Sequence, residues 1–355
     1  MKRANNLFLQ ICSFKNLHEA WKKTQKGKRF RDNVLSFNFN MEKELIRLQE
    51  ELLNKTYMPG KYREFTIYER KPRKISAAPF RDRVIHHALI NVIEPIFEKS
   101  FIFDSYACRI GKGTHVAVDR YSYFLRKNNY TLKCDIKKYF PSIDREILKE
   151  KIRKKIKDKD CLWLTDLIID SGNLQTPVKD YFPGDDLFAP YERAKGIPIG
   201  NLTSQFFANV YLNDLDHFVK ETLGCCFYIR YVDDFTLLGN HKKELWDSYE
   251  KITKFLKKDR LKIHPKKTIL VPVSEGIDLL GYRVFKKYRK VRKDNAFRFI
   301  RKMKMFQKKY RERKFGLGDI NPSVQSWIGH ACHADTYRLR EKIFSSFTFT
   351  IRDRP

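Results

Sequence analysis

Apolar residues recur at two spacings along this chain, and the switch between them outlines its elements. In MEKELIRLQEELLNKT, Leu45, Leu48, Leu52 and Leu53 fall at the three-to-four spacing of a helix with one buried face. Together with LHEAWKK upstream, this predicts helices across residues 15–55. YREFTIYERKPRKISA (62–77) reads instead as strand, basic turn, strand, and Pro79 with Asp82 predicts a helix opening over FRDRVIHHALINVIEPIFEK. TLKCDIKKYFPSID (131–144) begins as a strand and is expected to stop at Pro141, and residues 171–196 form a polar, Pro/Gly-punctuated loop. NLTSQFFANVYLNDLDHFVKETL (201–223) predicts one helix capped by Thr203 or Ser204, with Phe207, Tyr211, Leu215 and Phe218 on one face. FYIRYVDDFTLLG (227–239) predicts a hairpin. LKIHPKKTILVPV and GIDLLGYRVFKKYRK add short strands, and the tail from about Asp294 is helical. Helices and strands mix without strict βαβ alternation, which predicts an α+β fold.

Composition narrows the function. A chain of 355 residues, 42% hydrophobic and 14% aromatic, is expected to fold as two or three packed subdomains. Lys+Arg 73 against Asp+Glu 42 leaves a formal charge of +31, and such a surface attracts polyanions, nucleic acid first. The longest early apolar run, LFLQICSF, is short and broken by Gln10, so neither a membrane span nor a signal segment is expected. Seven cysteines without a CxxC pair suit a cytoplasmic protein with reduced thiols, and nine histidines without HExxH or HxH give no histidine metal site.

Against this charge, a few acids stand out. Strand alternation in TLKCDI puts Leu132, Cys134 and Ile136 on one face and leaves Asp135 as the lone acid of the other. Asp233 and Asp234 sit at the tip of the predicted hairpin between apolar runs. If the two strands are neighbours, three hard oxygen ligands converge, the chemistry of Mg²⁺ held by carboxylates and substrate phosphates. Asp-Asp is also an ordinary turn dipeptide. The chain contains a control in Asp185-Asp186, which follows Pro183-Gly184 in a polar loop and is expected to bind no metal.

These motifs resemble those of reverse transcriptases, in ordered blocks from about Tyr62 to Tyr337. YVDD is similar to the family's YxDD box, DIKKYFPSI to the block carrying its first catalytic aspartate, and LLGYRVF to the primer-grip turn. The resemblance implies a right-hand polymerase: N-terminal extension and fingers over 1–130, a palm of antiparallel sheet and helices over 131–285, and a short basic helical thumb over 286–355. It makes Asp135, Asp233 and Asp234 catalytic, and these with Ile136 the ligands of two Mg²⁺ ions, Mn²⁺ being an alternative. Phe140, five residues after Asp135, matches the bulky gate that clashes with a ribose 2′-hydroxyl. GIPIGNLTSQ (196–205) departs from the usual PQG…SP, with Ile199 for Gln and Gln205 for Pro, and is similar to the form in diversity-generating retroelement enzymes. SWIGHACHADTYRL and PGDDLFAPYERAKG resemble that group too. This implies error-prone copying of a template RNA, with frequent errors at adenines, and a small basic helical accessory protein.

The same resemblance assigns Lys71, Arg73, Lys74, Phe140, Ile199, Gly200 and Gln205 to the incoming deoxynucleoside triphosphate. Template and primer fall to Arg109, Lys112, Leu280, Gly281, Tyr282, Arg298 and Lys302. In the tail, Phe299, Met303, Phe306 and Tyr310 form an apolar stripe beside Arg298, Arg301, Lys302, Lys304, Lys308 and Lys309. Lys266 and Lys267 stand where a lysine could protonate pyrophosphate, with no choice between them. Three other readings compete: a reverse transcriptase serving antiphage defence, a non-catalytic RNA-binding module and a two-metal nuclease. No ribonuclease H domain or zinc-based endonuclease tail is expected after the thumb.

Overall fold

Long-range pairing divides the chain into two units in the computed structural model, which describes residues 3–68, 72–172 and 178–350. The first unit comprises Met1–Cys108, Cys134–Phe235 and Trp246–Thr268; the second comprises Arg109–Lys133, Thr236–Leu245 and Ile269–Pro355. No described helix is long and apolar enough to cross a membrane. The seven cysteines are unpaired.

In the first unit the Phe80–Glu98 helix buries Val84, Ile85, Ala88, Leu89, Ile93 and Phe97, too many directions for a surface helix. The Phe14–Gln25 and Leu202–Tyr211 helices pack on it, and Phe97 meets Phe206 edge-on with ring centroids 5.4 Å apart. The leucines at helical spacing do what their period dictates: Leu45, Leu48 and Leu52 are the buried face of the Met41–Leu53 helix. Strands β1 (Arg63–Tyr68) and β2 (Pro72–Ala77) form the expected antiparallel hairpin, in register from Arg63↔Ala77 to Tyr68↔Pro72. Its tip, with Lys71, lies outside the described residues.

Strand β3 (Tyr130–Asp135) ends earlier than predicted. It stops at Asp135, Lys138 turns the chain with φ +47°, and Pro141 sits inside one helical turn, Tyr139–Ser142. The 201–223 region is also not one helix. It runs as Leu202–Tyr211 and Asn213–His217, then a wider π turn, Phe218–Thr222, because Leu212 leaves helical geometry with ψ near 2°. Its N-cap is Asn201, not Thr203 or Ser204, which are buried in the first turn. The Asn201 side chain is spent on β2 instead: its Oδ1 accepts from Ala78 N–H at 3.2 Å and its Nδ2 donates to Ser76 O at 3.1 Å.

Strands β4 (Tyr228–Tyr231), β5 (Asp234–Gly239) and β6 (Ile269–Pro272) complete a four-stranded sheet ordered β4-β5-β3-β6. In the second unit β3 and β6 run antiparallel from Tyr130↔Pro272 to Lys133↔Ile269. Strands β7 (Ile277–Leu279), β8 (Tyr282–Val284) and β9 (Arg289–Val291) form an antiparallel meander. The β7–β8 turn is Leu280-Gly281, both at positive φ (46° and 95°), the pairing that matches strand twist in a two-residue hairpin. Three helices follow, Lys293–Arg311, Leu317–Ala331 and Tyr337–Ser345. Phe299 stacks on Trp327 at 4.0 Å, with Phe344 edge-on to both. Met303 and Phe306 are buried and Tyr310 half-buried, while Arg298, Arg301, Lys302, Lys304 and Lys308 are exposed.

Candidate active site

All three acids singled out above lie in the first unit, and main-chain hydrogen bonds bring their segments together. The Ile136 N–H donates to Asp233 O at 3.2 Å. On the other side, His264 N–H donates to Asp135 O at 2.7 Å and Lys137 N–H to Lys262 O at 2.8 Å. Asp135 therefore sits between the hairpin turn and the 262–264 segment. Its residue is 9% exposed, and Lys267 Nζ donates to its Oδ1 at 2.6 Å. Of the two candidate lysines, Lys267 is the one held on the acid.

The hairpin turn is under backbone strain. Val232 has φ +57°, a left-handed conformation that a β-branched residue adopts only when its surroundings impose it. Arg230 supplies part of that constraint: one guanidinium nitrogen donates to Val232 O at 3.0 Å and to Asn209 Oδ1 at 3.2 Å. Its Nε and other terminal nitrogen grip Asp216 at 2.7 and 2.6 Å, and Tyr228 donates to the same carboxylate at 2.8 Å. Both side chains of this ion pair are 0% exposed. Removing either partner would strand a buried charge, so the pair fixes where the turn can go.

Charge crowding shows at Asp233. Burial, then Asp234, then Asp135 push its carboxyl up to about 6, with Lys267 pulling the other way. A cation more strongly placed than one lysine would remove that penalty. Asp135, Asp233 and Asp234 supply oxygen donors, and the buried Ile136 could contribute only its main-chain carbonyl. Among the described residues no three His, Cys, Asp or Glu side chains close a metal cage by themselves. Mg²⁺ does not require one, since it commonly takes one or two carboxylates and completes its shell with water and substrate phosphate.

The residues assigned to the nucleotide fall on neighbouring segments of the same unit. Phe140 is half-buried, and its carbonyl accepts from Ile197 N–H at 3.1 Å. Two residues on, the carbonyl of half-buried Ile199 accepts from Ser76 N–H on β2 at 3.0 Å. Gly200 has φ +116°, and a Cβ there would lie 2.7 Å from Ile75 Cγ2, so only glycine lets this segment close on the hairpin. Arg73 and Lys74 are exposed on β2, with Lys74 paired to Glu64 across the strands at 2.6 Å, and Gln205 is exposed on the helix that follows.

The template and primer candidates lie in the second unit. Arg109 and Lys112 occupy the loop before the Thr114–Lys127 helix, where Gly111 and Gly113 have positive φ and open space at the Cβ position. Leu280 and Gly281 form the β7–β8 turn, Tyr282 is buried beside it, and Arg298 and Lys302 are on the exposed face of the Lys293–Arg311 helix. Sequence reasoning missed Arg230 and Asp216. The only signal was a lone arginine inside the apolar run FYIRYV.

Residues 61–284 match the family model described as reverse transcriptase (RNA-dependent DNA polymerase). The chain is 23% identical over 284 residues to Protein YkfC of Escherichia coli (strain K12), covering 69% of this chain and 72% of that protein. It is 26% identical over 183 residues to the group II intron-encoded protein LtrA of Lactococcus lactis subsp. cremoris, covering 51% of this chain but only 29% of that protein. Among solved structures, apo telomerase from Candida Tropicalis truncated from its C-terminal domain aligns with a TM-score of 0.48 and 17% identity, over 66% of this chain and 55% of that one.

Proposed function

The chain belongs to the reverse transcriptase family and is an RNA-directed DNA polymerase; from that premise we propose that it copies a retroelement template RNA into cDNA with frequent errors at adenines. The observation that carries the site is the Ile136–Asp233 hydrogen bond, which sets Asp135 beside the hairpin turn. Asp135, Asp233 and Asp234, with the Ile136 carbonyl, would hold two divalent ions. Such ions, when bound, activate a 3′-hydroxyl and stabilise a leaving pyrophosphate.

The chain's own residues do the rest. Lys267 Nζ donates to Asp135 Oδ1 and is our candidate to protonate pyrophosphate. Arg73 and Lys74, with Lys71, meet the triphosphate, and Phe140 blocks a 2′-hydroxyl. The family's fingers, palm and thumb are assigned here to 1–130, 131–285 and 286–355. In the second unit, Arg109, Lys112, the Leu280–Tyr282 turn, Arg298 and Lys302 hold template and primer. A small basic helical protein is the proposed accessory partner.

Low fidelity follows from what Ile199 lacks. An amide at this position can hydrogen-bond near the nascent pair and hold one geometry, whereas an isoleucine side chain offers no polar atom. Losing about 1.4 kcal/mol of discrimination gives about tenfold more errors. Sequencing cDNA made on a defined RNA tests this: Ile199→Gln is expected to lower misincorporation opposite adenine more than opposite other bases. Unchanged spectra would remove Ile199 from the explanation. Accurate copying of adenines by the wild-type chain would remove the diversification reading and leave a reverse transcriptase with another role, antiphage defence included.

A further inference from the structure

Close to the three acids of the first unit, one further carboxylate answers two lysines at once. We propose that Asp180 is a positioning residue for polymerisation: by cancelling the repulsion between Lys137 and Lys262, it keeps the 262–267 segment, with Lys267, against Asp135. The inference rests on reading Asp135 and Lys267 as polymerase residues.

The backbone sets the problem that Asp180 solves. Ile136 and Ile263 face each other in an antiparallel bridge, closed by Lys137 N–H to Lys262 O at 2.8 Å and His264 N–H to Asp135 O at 2.7 Å. Side chains alternate along extended backbone, so Ile136 and Ile263 share one face, and both are buried. The other face receives Asp135 and Lys137 from one segment and Lys262 and His264 from its neighbour. Lys137 is thus opposite Lys262, and like charges in that relation destabilise a strand pair. Lys267 follows within one turn, its N–H donating to His264 O at 3.1 Å. Opening the bridge therefore draws the Lys267 ammonium away from Asp135.

Asp180 reaches this pair from a different segment. Its two carboxylate oxygens accept from Lys137 Nζ at 3.2 and 3.3 Å, and Oδ1 also accepts from Lys262 Nζ at 3.1 Å. Its side chain is 19% exposed, against 39% and 38% for the two lysines, so its charge is the less screened by solvent. Holding the surrounding loop falls to other groups. Lys195 Nζ donates to Val178 O at 3.4 Å and to Pro190 O at 3.3 Å, and Arg260 grips Asp185. The Phe182 ring lies 4.9 Å from the Arg260 guanidinium and 5.1 Å from the Lys262 ammonium. With the loop anchored on both sides of it, the Asp180 carboxylate serves the lysine pair.

The test uses the full chain. Asp180→Asn keeps the size of the side chain and removes its charge. It should lower kcat for primer extension on a defined RNA about tenfold, the effect of a small misplacement near the reacting groups, and leave KM for the deoxynucleoside triphosphate within about twofold. In the metal-free protein, hydrogen exchange at the Lys137, His264 and Lys267 amides should become about tenfold faster, with the Phe80–Glu98 helix unchanged. Adding Lys262→Met, which keeps an unbranched chain over Phe182 and removes one of the opposed charges, should restore most of both. Asp185→Asn, in the same loop, should leave kcat within about threefold and the bridge amides unmoved.

Unchanged kcat and unchanged exchange in Asp180→Asn overturn the proposal. A loss that Lys262→Met fails to repair also overturns it, because Asp180 would then be a tether for its own loop. Faster exchange throughout the chain does the same, being the mark of general destabilisation. A wild-type chain that extends no primer, while its bridge amides respond to Asp180→Asn and Lys262→Met as expected, would sink the polymerase reading and still support the hold of Asp180 on the bridge.

Discussion

Two aspartate pairs in the first unit carry the same dipeptide into opposite electrostatic situations. Asp185 is gripped by both terminal nitrogens of Arg260 at 2.5 and 2.7 Å and also accepts from Phe182 N–H at 2.9 Å. That hydrogen-bonded guanidinium holds its carboxyl down at about 2. Asp186 accepts from the main-chain N–H groups of Phe188 and Ala189, opening a short helical turn. The charge of this pair is consumed inside the chain. At Asp233 burial and its acidic neighbours push the other way, to about 6, while the Lys267 ammonium is held on Asp135. The same dipeptide thus meets two environments, a guanidinium and a main-chain N–H at Asp185 and burial beside other acids at Asp233.

The sharpest way to break the comparison is activity. Asp233→Asn is expected to lower RNA-templated DNA synthesis by more than about a thousandfold, the scale expected when metal-held charge stabilisation is lost, and Asp185→Asn should stay within about threefold. Primer extension on a defined RNA measures both. Next comes the buried pair behind the active turn. Asp216→Asn should cost about 3–5 kcal/mol in urea unfolding, the usual penalty for stranding a buried charge. Arg230→Met combined with Asp216→Leu should recover much of that stability but not synthesis, because Val232 O still lacks its donor.

The smallest effects sharpen the contrast most, since one chemical change should act with opposite signs. Asp233 has a raised folded pKa, so its contribution is complete below about pH 4 and is lost as pH rises through about 6. Asp233→Asn should therefore raise the melting temperature of the metal-free protein at neutral pH. Asp185 has a depressed folded pKa, so its contribution is complete above about pH 4 and is lost as pH falls towards 2. Asp185→Asn should lower the melting temperature at neutral pH. Shifts of about 2 °C are expected, and thermal scans with a chelator and then with Mg²⁺ check them, because added metal should favour wild type over Asp233→Asn.

Local periodicity made much of this molecule legible. The leucines of Met41–Leu53, the β1–β2 hairpin and the YVDD hairpin were readable because neighbours within a few positions decide them. The split of 201–223 was not, since the apolar spacing runs on through Leu212 while the backbone changes pitch. Pairings across long sequence intervals were hidden for a different reason. Nothing in the strings near Asp185 announces Arg260, 75 positions away, and nothing near Asn201 announces that Ser76 O accepts from its amide. Strand alternation and the hairpin pattern singled out the three acids before any resemblance did, whereas the Arg230–Asp216 ion pair bracing their turn belongs to no local pattern.

The route of the chain between its two units has a consequence for engineering. It crosses from one to the other five times, two of the crossings falling inside β3 and β5 and one inside the Lys242–Lys258 helix. No single cut in the gene separates the units: a fragment ending at Thr268 holds all of the first unit but brings two pieces of the second with it. Grafting one unit onto a foreign polymerase would take several coordinated junctions, and the sequence is best exchanged, permuted or evolved as a whole.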